Sequence, residues 1–243
     1  MLKRLLDFNA SRYWLKREMI EFARTVPANA LVLDAGAGDS PYRPLFAHCR
    51  YEAADFVKVD KPYAAQTYIC DLTSIPVEAE RFDCVIFNQV MEHVPEPELV
   101  LRELRRVLKP GGVLFYSAPL FYEEHEQPYD FYRYTQFGVR YLFTKAGLSV
   151  RAIHWLEGYF CTAGYQLRSM ARHLPAGEIL KLGLVGLLLW PFLMLMRGCC
   201  FMISILFQLI DTRHRFTGAA YPKNYFAIAE RSEIGAEAAK PAQ

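Results

Sequence analysis

The stretch Val32-Leu33-Asp34-Ala35-Gly36-Ala37-Gly38-Asp39-Ser40 constrains this chain more than any other. Leu31 to Leu33 are apolar and few, as a strand buried on both faces of a sheet requires. Asp34 ends that strand, and two glycines follow with one residue between them. Glycine lets the backbone turn tightly and approach a ligand with no side chain in the way. In a doubly wound sheet this strand end is where a nucleotide-like ligand binds.

The residues around the glycines narrow the ligand. A dinucleotide site calls for a third glycine at position 41 and a helix amino terminus free to hold pyrophosphate. Position 41 is Pro41, and Asp39 puts negative charge in the loop; both disfavour pyrophosphate. An acidic residue before Gly-x-Gly suits a ligand with positive groups, such as an ammonium or a sulfonium, and points to S-adenosylmethionine.

Further along, apolar runs alternate with helical patterns. Residues 11–26 have helical spacing and lead into the first strand, and residues 42–48 read as a first crossover helix or a short turn of one. A second strand, 51–54, ends in Asp55, about 20 residues past the first glycine, where an acidic side chain can accept both ribose hydroxyls. A third, 67–70, ends in Asp71, placed to accept from an adenine amino group. The fourth strand, 82–87, runs into Asn88-Gln89-Val90-Met91-Glu92-His93-Val94. A helix over 95–108 has Leu99, Leu101, Leu104, Val107 and Leu108 on one side, and Lys109-Pro110-Gly111-Gly112 stops it. Strand 113–117, helix 135–147 capped by Gly147 and strand 148–155 complete a pattern that implies a parallel α/β sheet.

The order Leu-Asp-x-Gly-x-Gly, acidic strand end, Cys-Asp-Leu, Phe-Asp-x-Val, Met-Glu-His-Val and Leu-Lys-Pro-Gly-Gly, over about residues 27–155, resembles class I S-adenosylmethionine-dependent methyltransferases of the type 11 group. The resemblance implies a Rossmann-like, doubly wound seven-stranded sheet whose last strand is antiparallel, and Asn224 to Glu230 fits that strand. It implies that Asp34, Ala35, Gly36 and Gly38 surround the methionine portion of the cofactor. Asp55, with Phe56 beside it, would bind the ribose; Asp71, with Leu72, the adenine; and Asn88 and Gln89 would lie beside the sulfonium. Ubiquinone-pathway O-methyltransferases hold a metal on a Glu-x-x-Glu-His segment at the position of His93. Gln89 replaces the first glutamate here, removing one anionic oxygen ligand, so no metal is expected.

Between the fifth strand and the next helix, residues 119–134 are too polar for a core strand and too aromatic for an idle loop. Tyr122, Glu124, Tyr129, Asp130, Tyr132 and Arg133 are the candidate acceptor-binding residues. His125 and His93 are candidate bases for an attacking hydroxyl. The alternative is a structural lid, with Arg133 paired to Glu123 or Asp130. Similar His-Glu-x-Pro-Tyr-Asp-Phe-Tyr-Arg segments in methyltransferases of bacterial glycan gene clusters suggest a sugar, glycolipid or other lipid-linked acceptor. A quinone-type small molecule or a non-catalytic scaffold role are the alternatives.

The remainder is unusually apolar. Residues 182–196 and 198–210 are uncharged and only Arg197 interrupts them. A single bilayer span is inconsistent with a strand at 224–230 that returns to the sheet, so a re-entrant or interfacial helical pair is expected. Lys181, Arg213, His214 and Arg215 would meet anionic headgroups; a homodimer interface is the competing reading. The expected organisation is a cofactor-binding core over 1–157, a helical insertion over 158–216, a returning strand over 217–232 and a disordered tail over 233–243. With 28 basic and 26 acidic residues, net charge +2, no nucleic-acid footprint appears. The six cysteines form no C-x-x-C pair, and residues 1–13 have no apolar signal core. Both place the chain in the cytoplasm, at the inner face of the membrane.

Overall fold

The computed structural model describes residues 8–232; the expected tail lies outside the described residues. Contacts divide the chain into two units.

The larger, residues 16–155 with 224–232, contains a seven-stranded sheet in the order β3-β2-β1-β4-β5-β7-β6. The strands are β1 (Leu31–Ala35), β2 (Arg50–Asp55), β3 (Tyr68–Ile69), β4 (Phe82–Asn88), β5 (Leu108–Pro119), β6 (Leu148–Trp155) and β7 (Asn224–Arg231). The first five are parallel. β7 runs antiparallel between β5 and β6, pairing Ser117 with Phe226 and Trp155 with Tyr225. The order reverses between β1 and β4, which leaves a crevice outside their carboxyl ends. β1 is buried along its whole length, as its apolar run requires.

The flanking helices are α1 (Ala10–Thr25), α2 (Pro97–Val107) and α3 (Gln136–Lys145). α2 begins on a proline whose missing N–H costs nothing at that position. It buries Val100, Leu101, Leu104 and Val107. α3 is capped by Thr135, whose hydroxyl oxygen accepts from the Gly138 N–H at 3.2 Å. Two of the sequence motifs prove to be structural joints. Asp83 accepts from the Leu31 N–H at 2.8 Å and from Lys109 Nζ at 2.6 Å, tying β1, β4 and β5 together. Gly112 is required because a Cβ there would lie 2.8 Å from the Lys109 carbonyl oxygen.

Two strands differ from expectation in extent. β5 begins at Leu108 and takes in Lys109 to Gly112, expected as the stop of the preceding helix, and β3 is two residues long. Residues 42–48 hold the shorter of the two expected forms, a 3-10 turn over Arg43–Phe46.

The smaller unit, residues 8–15 with 156–223, holds α4 (Tyr159–His173) and α5 (Leu184–Arg213). The expected helical pair is instead one 30-residue helix that runs through both Pro191 and Arg197. α4 and α5 approach closely at Gly164, where a Cβ would lie 2.9 Å from the Ser204 carbonyl oxygen. Asp211 Oδ2 accepts from Trp14 Nε1 at 3.0 Å and from the Gly158 N–H at 3.1 Å, joining the ends of both helices to the start of α1.

Candidate active site

The carboxyl ends of β1, β2 and β4 open on a cleft of about 370 Å³. Gly36, Asp55, Phe56, Asp71, Leu72, Gln89 and His93 line it, together with Lys58, Lys61, Val90, Leu99, Glu126, Tyr129 and Phe131. Asp34, Ala35, Gly38, Asn88 and His125 do not reach its wall.

The glycine loop takes its shape from two left-handed residues, Gly36 at φ +80° and Gly38 at φ +53°. A Cβ on Gly36 would fall 2.3 Å from Val90 Cγ2, so this glycine also admits the segment after β4. The Gly38 N–H donates to Asp55 Oδ2 at 2.9 Å, and the Val57 N–H to Asp55 Oδ1 at 3.1 Å. The Asp55 carboxylate is therefore fixed at the end of β2, with each oxygen keeping a second acceptor site. Asp71 Oδ1 accepts from the N–H and the hydroxyl of Thr73, which orients it at the cleft rim. Ser117 donates to Asn88 Oδ1 at 2.5 Å and accepts from Gln89 Nε2 at 2.9 Å, fixing that pair of side chains.

Asp34 is placed otherwise than the sequence suggests. It is buried behind the loop and accepts a short hydrogen bond from the Tyr51 hydroxyl of the neighbouring strand. Burial pushes its carboxyl up to about 7 against that hydrogen bond, with the charges of Asp55 and Asp39 adding to the rise. Asp34 ties β1 to β2 and is not among the residues of the cleft wall.

The acceptor segment is both a clasp and a wall. Arg133 grips Asp130 through two hydrogen bonds, at 2.7 and 2.8 Å, and donates to the carbonyls of Tyr122, Glu123 and Tyr132. Hydrogen bonding from Arg133 holds the Asp130 carboxyl down at about 2. Of the two lid pairings open from sequence, the side-chain partner is Asp130; Glu123 contributes its backbone. Tyr129 lines the cleft and meets Phe56 edge-on at 5.3 Å. Tyr132 donates to the Pro95 carbonyl, and Glu124 lies exposed.

His93 Nδ1 lies 2.6 Å from the Tyr129 carbonyl oxygen. A carbonyl only accepts, so Nδ1 carries the proton and Nε2 keeps a lone pair. Burial lowers the His93 pKa, favouring the neutral ring. Its ring meets that of His125 edge-on at 4.6 Å, and His125 Nδ1 lies 3.4 Å from Asp130 Oδ2.

Sequence reading passed over two features. Glu92 is fully buried, neither carboxylate oxygen has a hydrogen-bond partner, and burial pushes its pKa up to about 8. Glu92, His93 and His125 offer ligand atoms that all lie within 4.8 Å of one another, a set chemically able to hold a cation. The Met-Glu-His-Val motif contained the Glu92 signal, but nothing in it says that the side chain turns inward. The second feature is a salt bridge from Lys61 to Glu126, 2.7 Å, between two residues of the cleft wall.

Residues 33–116 match the family described as "Methyltransferase domain". The sheet order is that of a Rossmann-like fold with its last strand antiparallel, and residues 33–116 within it are similar to this family. The chain is 31% identical over 93 residues to the ubiquinone biosynthesis O-methyltransferase of Coxiella burnetii, covering 36% of this chain and 37% of that protein. It is 26% identical over 112 residues to the tRNA (carboxymethyluridine(34)-5-O)-methyltransferase ALKBH8 of Macaca fascicularis, covering 43% and 17%. The matched regions thus span well under half the length of these relatives. Among solved structures, the Haemonchus contortus phosphoethanolamine N-methyltransferase 2 in complex with S-adenosyl-L-methionine superposes with a TM-score of 0.51 at 13% identity, over 90% of this chain and 52% of that one.

Proposed function

We propose that this chain is an S-adenosylmethionine-dependent O-methyltransferase acting on a hydroxyl of a ring-shaped acceptor, a sugar or glycolipid in preference to a free quinol. One observation carries the reading: Asp55, Asp71, Gln89 and His93, which lie at or soon after the ends of β2, β3 and β4 on either side of β1, open on one cleft. Asp55 offers two oriented acceptor oxygens to a ribose diol, Asp71 an oxygen to an amino group, and Leu72 and Val90 apolar walls to a purine. When bound, S-adenosylmethionine supplies a methyl group on a sulfonium, a leaving group that needs no further activation.

The chain's own residues then position and deprotonate. In-line placement of the acceptor is the main requirement, and Phe56, Tyr129 and Phe131 give that side of the cleft aromatic faces for a ring. His93 keeps its Nε2 lone pair and lines the cleft, so it takes the hydroxyl proton. His125 stands behind it, near the Asp130 carboxylate that Arg133 keeps anionic. That division sharpens the pair of candidate bases to one residue in contact and one in support.

Calorimetric titration with S-adenosylmethionine and, separately, with NAD tests the cofactor. Labelled-methyl transfer onto glycolipid, quinol and tRNA fractions then tests the acceptor. Binding of NAD alone overturns the reading. Transfer to tRNA alone keeps the cofactor and overturns the acceptor; the near-neutral charge of the chain, +2, argues against it.

A further inference from the structure

We propose that α5 is a monotopic membrane element, seating its outer face in the interfacial layer of an anionic bilayer without crossing it. This goes beyond the catalytic reading and stands on different residues.

The polarity of α5 is the reverse of what a helix in water displays. Its buried positions are Gly186, Cys200, Ser204, Gln208 and Asp211, and all but Cys200 are polar or side-chain-free. Opposite that stripe, at seven-residue intervals, stand Leu188, Leu195, Met202 and Leu209, and all four are exposed. Leu184, Leu187, Phe192 and Leu206 widen the same face, each more than half exposed. An amphipathic helix of a soluble domain turns its apolar stripe inward; here the polar stripe faces the protein and the apolar one faces out. A contiguous apolar surface of this size marks an interaction site rather than an ordinary surface.

Length and topology distinguish lying on a membrane from crossing it. Thirty residues make a helix about 45 Å long, enough to span the hydrocarbon core. But the chain leaves the sheet at Trp155 and returns at Asn224, and Trp155 pairs directly with Tyr225. Both ends of residues 156–223 are therefore on one side of any membrane, which requires an even number of crossings. The other long helix in that segment, α4, has 15 residues and carries Gln166, Arg168, Arg172 and His173, so it cannot supply the second.

Charge selects the surface. Glu178 is paired to Lys181, and Asp211 is buried on Trp14 and Gly158. The charged side chains that α5 leaves exposed are Arg197 and Arg213, both cationic. Helical spacing puts Arg213 on the face of Leu188 and Leu209 and Arg197 on the side of the polar stripe. Arg213 suits the anionic headgroups of a cytoplasmic leaflet, and α5 offers no exposed acidic side chain to answer it in a second copy.

The test is flotation of the full chain with phosphatidylcholine vesicles, with and without phosphatidylglycerol, at low and high salt. Binding is expected to both, stronger with phosphatidylglycerol, and the excess is expected to disappear at high salt. The double variant Leu188→Asp/Leu195→Asp is expected to lower partitioning at least about 100-fold, while Phe137→Asp, an exposed aromatic on α3, leaves it unchanged. Arg213→Glu removes only the phosphatidylglycerol excess. Quenching by brominated phosphatidylcholine of a tryptophan placed on that face, Leu195→Trp, reads the same contact in a chain whose apolar face is intact. A soluble dimer that ignores vesicles and dissociates in the Leu188→Asp/Leu195→Asp variant overturns the proposal in favour of a second copy. A soluble monomer without quenching overturns it outright.

Discussion

Asp55 and Asp211 are both aspartates with almost no exposed surface, at 4% and 0%, and they do opposite things. Asp55 sits at a strand end with two backbone N–H donors behind it and a cleft in front. Asp211 sits on a helix with Trp14 and Gly158 closing round it. A buried carboxylate needs partners for its charge. Where the protein supplies only part of that solvation and leaves the rest open to a cleft, the group can bind a ligand. Where the protein closes over the group, as Trp14 and Gly158 do on Oδ2 of Asp211, the group is a joint between elements. The same contrast separates the units that hold them: around the cleft, polar groups are aimed at an opening, while in the α4–α5 unit they face inward and the apolar side chains face out.

The largest effect expected is at His93. His93→Ala should lower kcat by about 10²–10³, with the cofactor Kd within about twofold of the parent. Because burial holds the His93 pKa below the usual histidine value, the neutral form is the base. Activity should therefore fall as pH drops through a value below about 6.5 and stay level above it up to pH 8. A profile unchanged in the variant would remove His93 as the base and leave cofactor binding intact.

Asp55→Ala and Asp211→Ala test the comparison directly. Losing the two charged hydrogen bonds that Asp55 offers should weaken S-adenosylmethionine binding about 100-fold. Tm should fall less than for Asp211→Ala, because the Gly38 and Val57 N–H groups it leaves are only part-buried. Calorimetry and thermal melting read the two effects. Asp211→Ala should do the reverse. It leaves the Trp14 and Gly158 donors buried without an acceptor and should cost about 2–4 kcal/mol of stability, with cofactor affinity unchanged. If both variants behave alike, the distinction between ligand-facing and joint-forming carboxylates fails.

A third buried carboxylate belongs to neither class. Neither Glu92 oxygen has a hydrogen-bond partner, His93 Nε2 standing 3.8 Å from Oε1, and its pKa is pushed up to about 8, against about 4.3 in an unfolded chain. Between those values the folded state holds a proton that the unfolded state has released, so stability falls as pH rises. Asp34, raised to about 7, adds to the same slope. Glu92→Gln should remove part of it: the variant should gain on the order of 1 kcal/mol or more over the parent at pH 8 and converge with it near pH 5. Urea melts at the two pH values measure this.

How far these roles were legible in the sequence follows from how local their causes are. The ends of β1, β2 and β4 could be read because short apolar runs, glycines and aspartates recur there at fixed spacing, whereas the antiparallel β7 was expected through the resemblance, which residues 224–230 fitted. Asp34 was misleading because its partner, Tyr51, lies on another strand, and pairing across strands leaves no mark on the local pattern. Glu92 was hidden for the same reason, since burial is a tertiary property. In α5, Pro191 and Arg197 suggested a broken pair of helices, yet the structure carries one helix through both. Proline costs about 3 kcal/mol in a helix interior, and the local pattern gives no sign of the close packing of α5 on α4 that stands against it.

The smallest effect expected is at the Lys61–Glu126 bridge, where strength and position lead to different expectations. Both side chains are about a quarter to a third exposed, at 33% and 26%, so the pair contributes no more than about 1 kcal/mol. Lys61→Met should leave Tm within about 2 °C of the parent. The two residues nevertheless stand in the cleft wall with Tyr129 and Phe131, so the substitution should raise the acceptor KM about two- to fivefold, with kcat and cofactor Kd unchanged. Salt should raise the parent's KM towards that of the variant, because a partly exposed pair is screened. A KM insensitive to both salt and substitution would mean that the bridge only decorates the wall, and the acceptor side of the cleft would then rest on its aromatic residues alone.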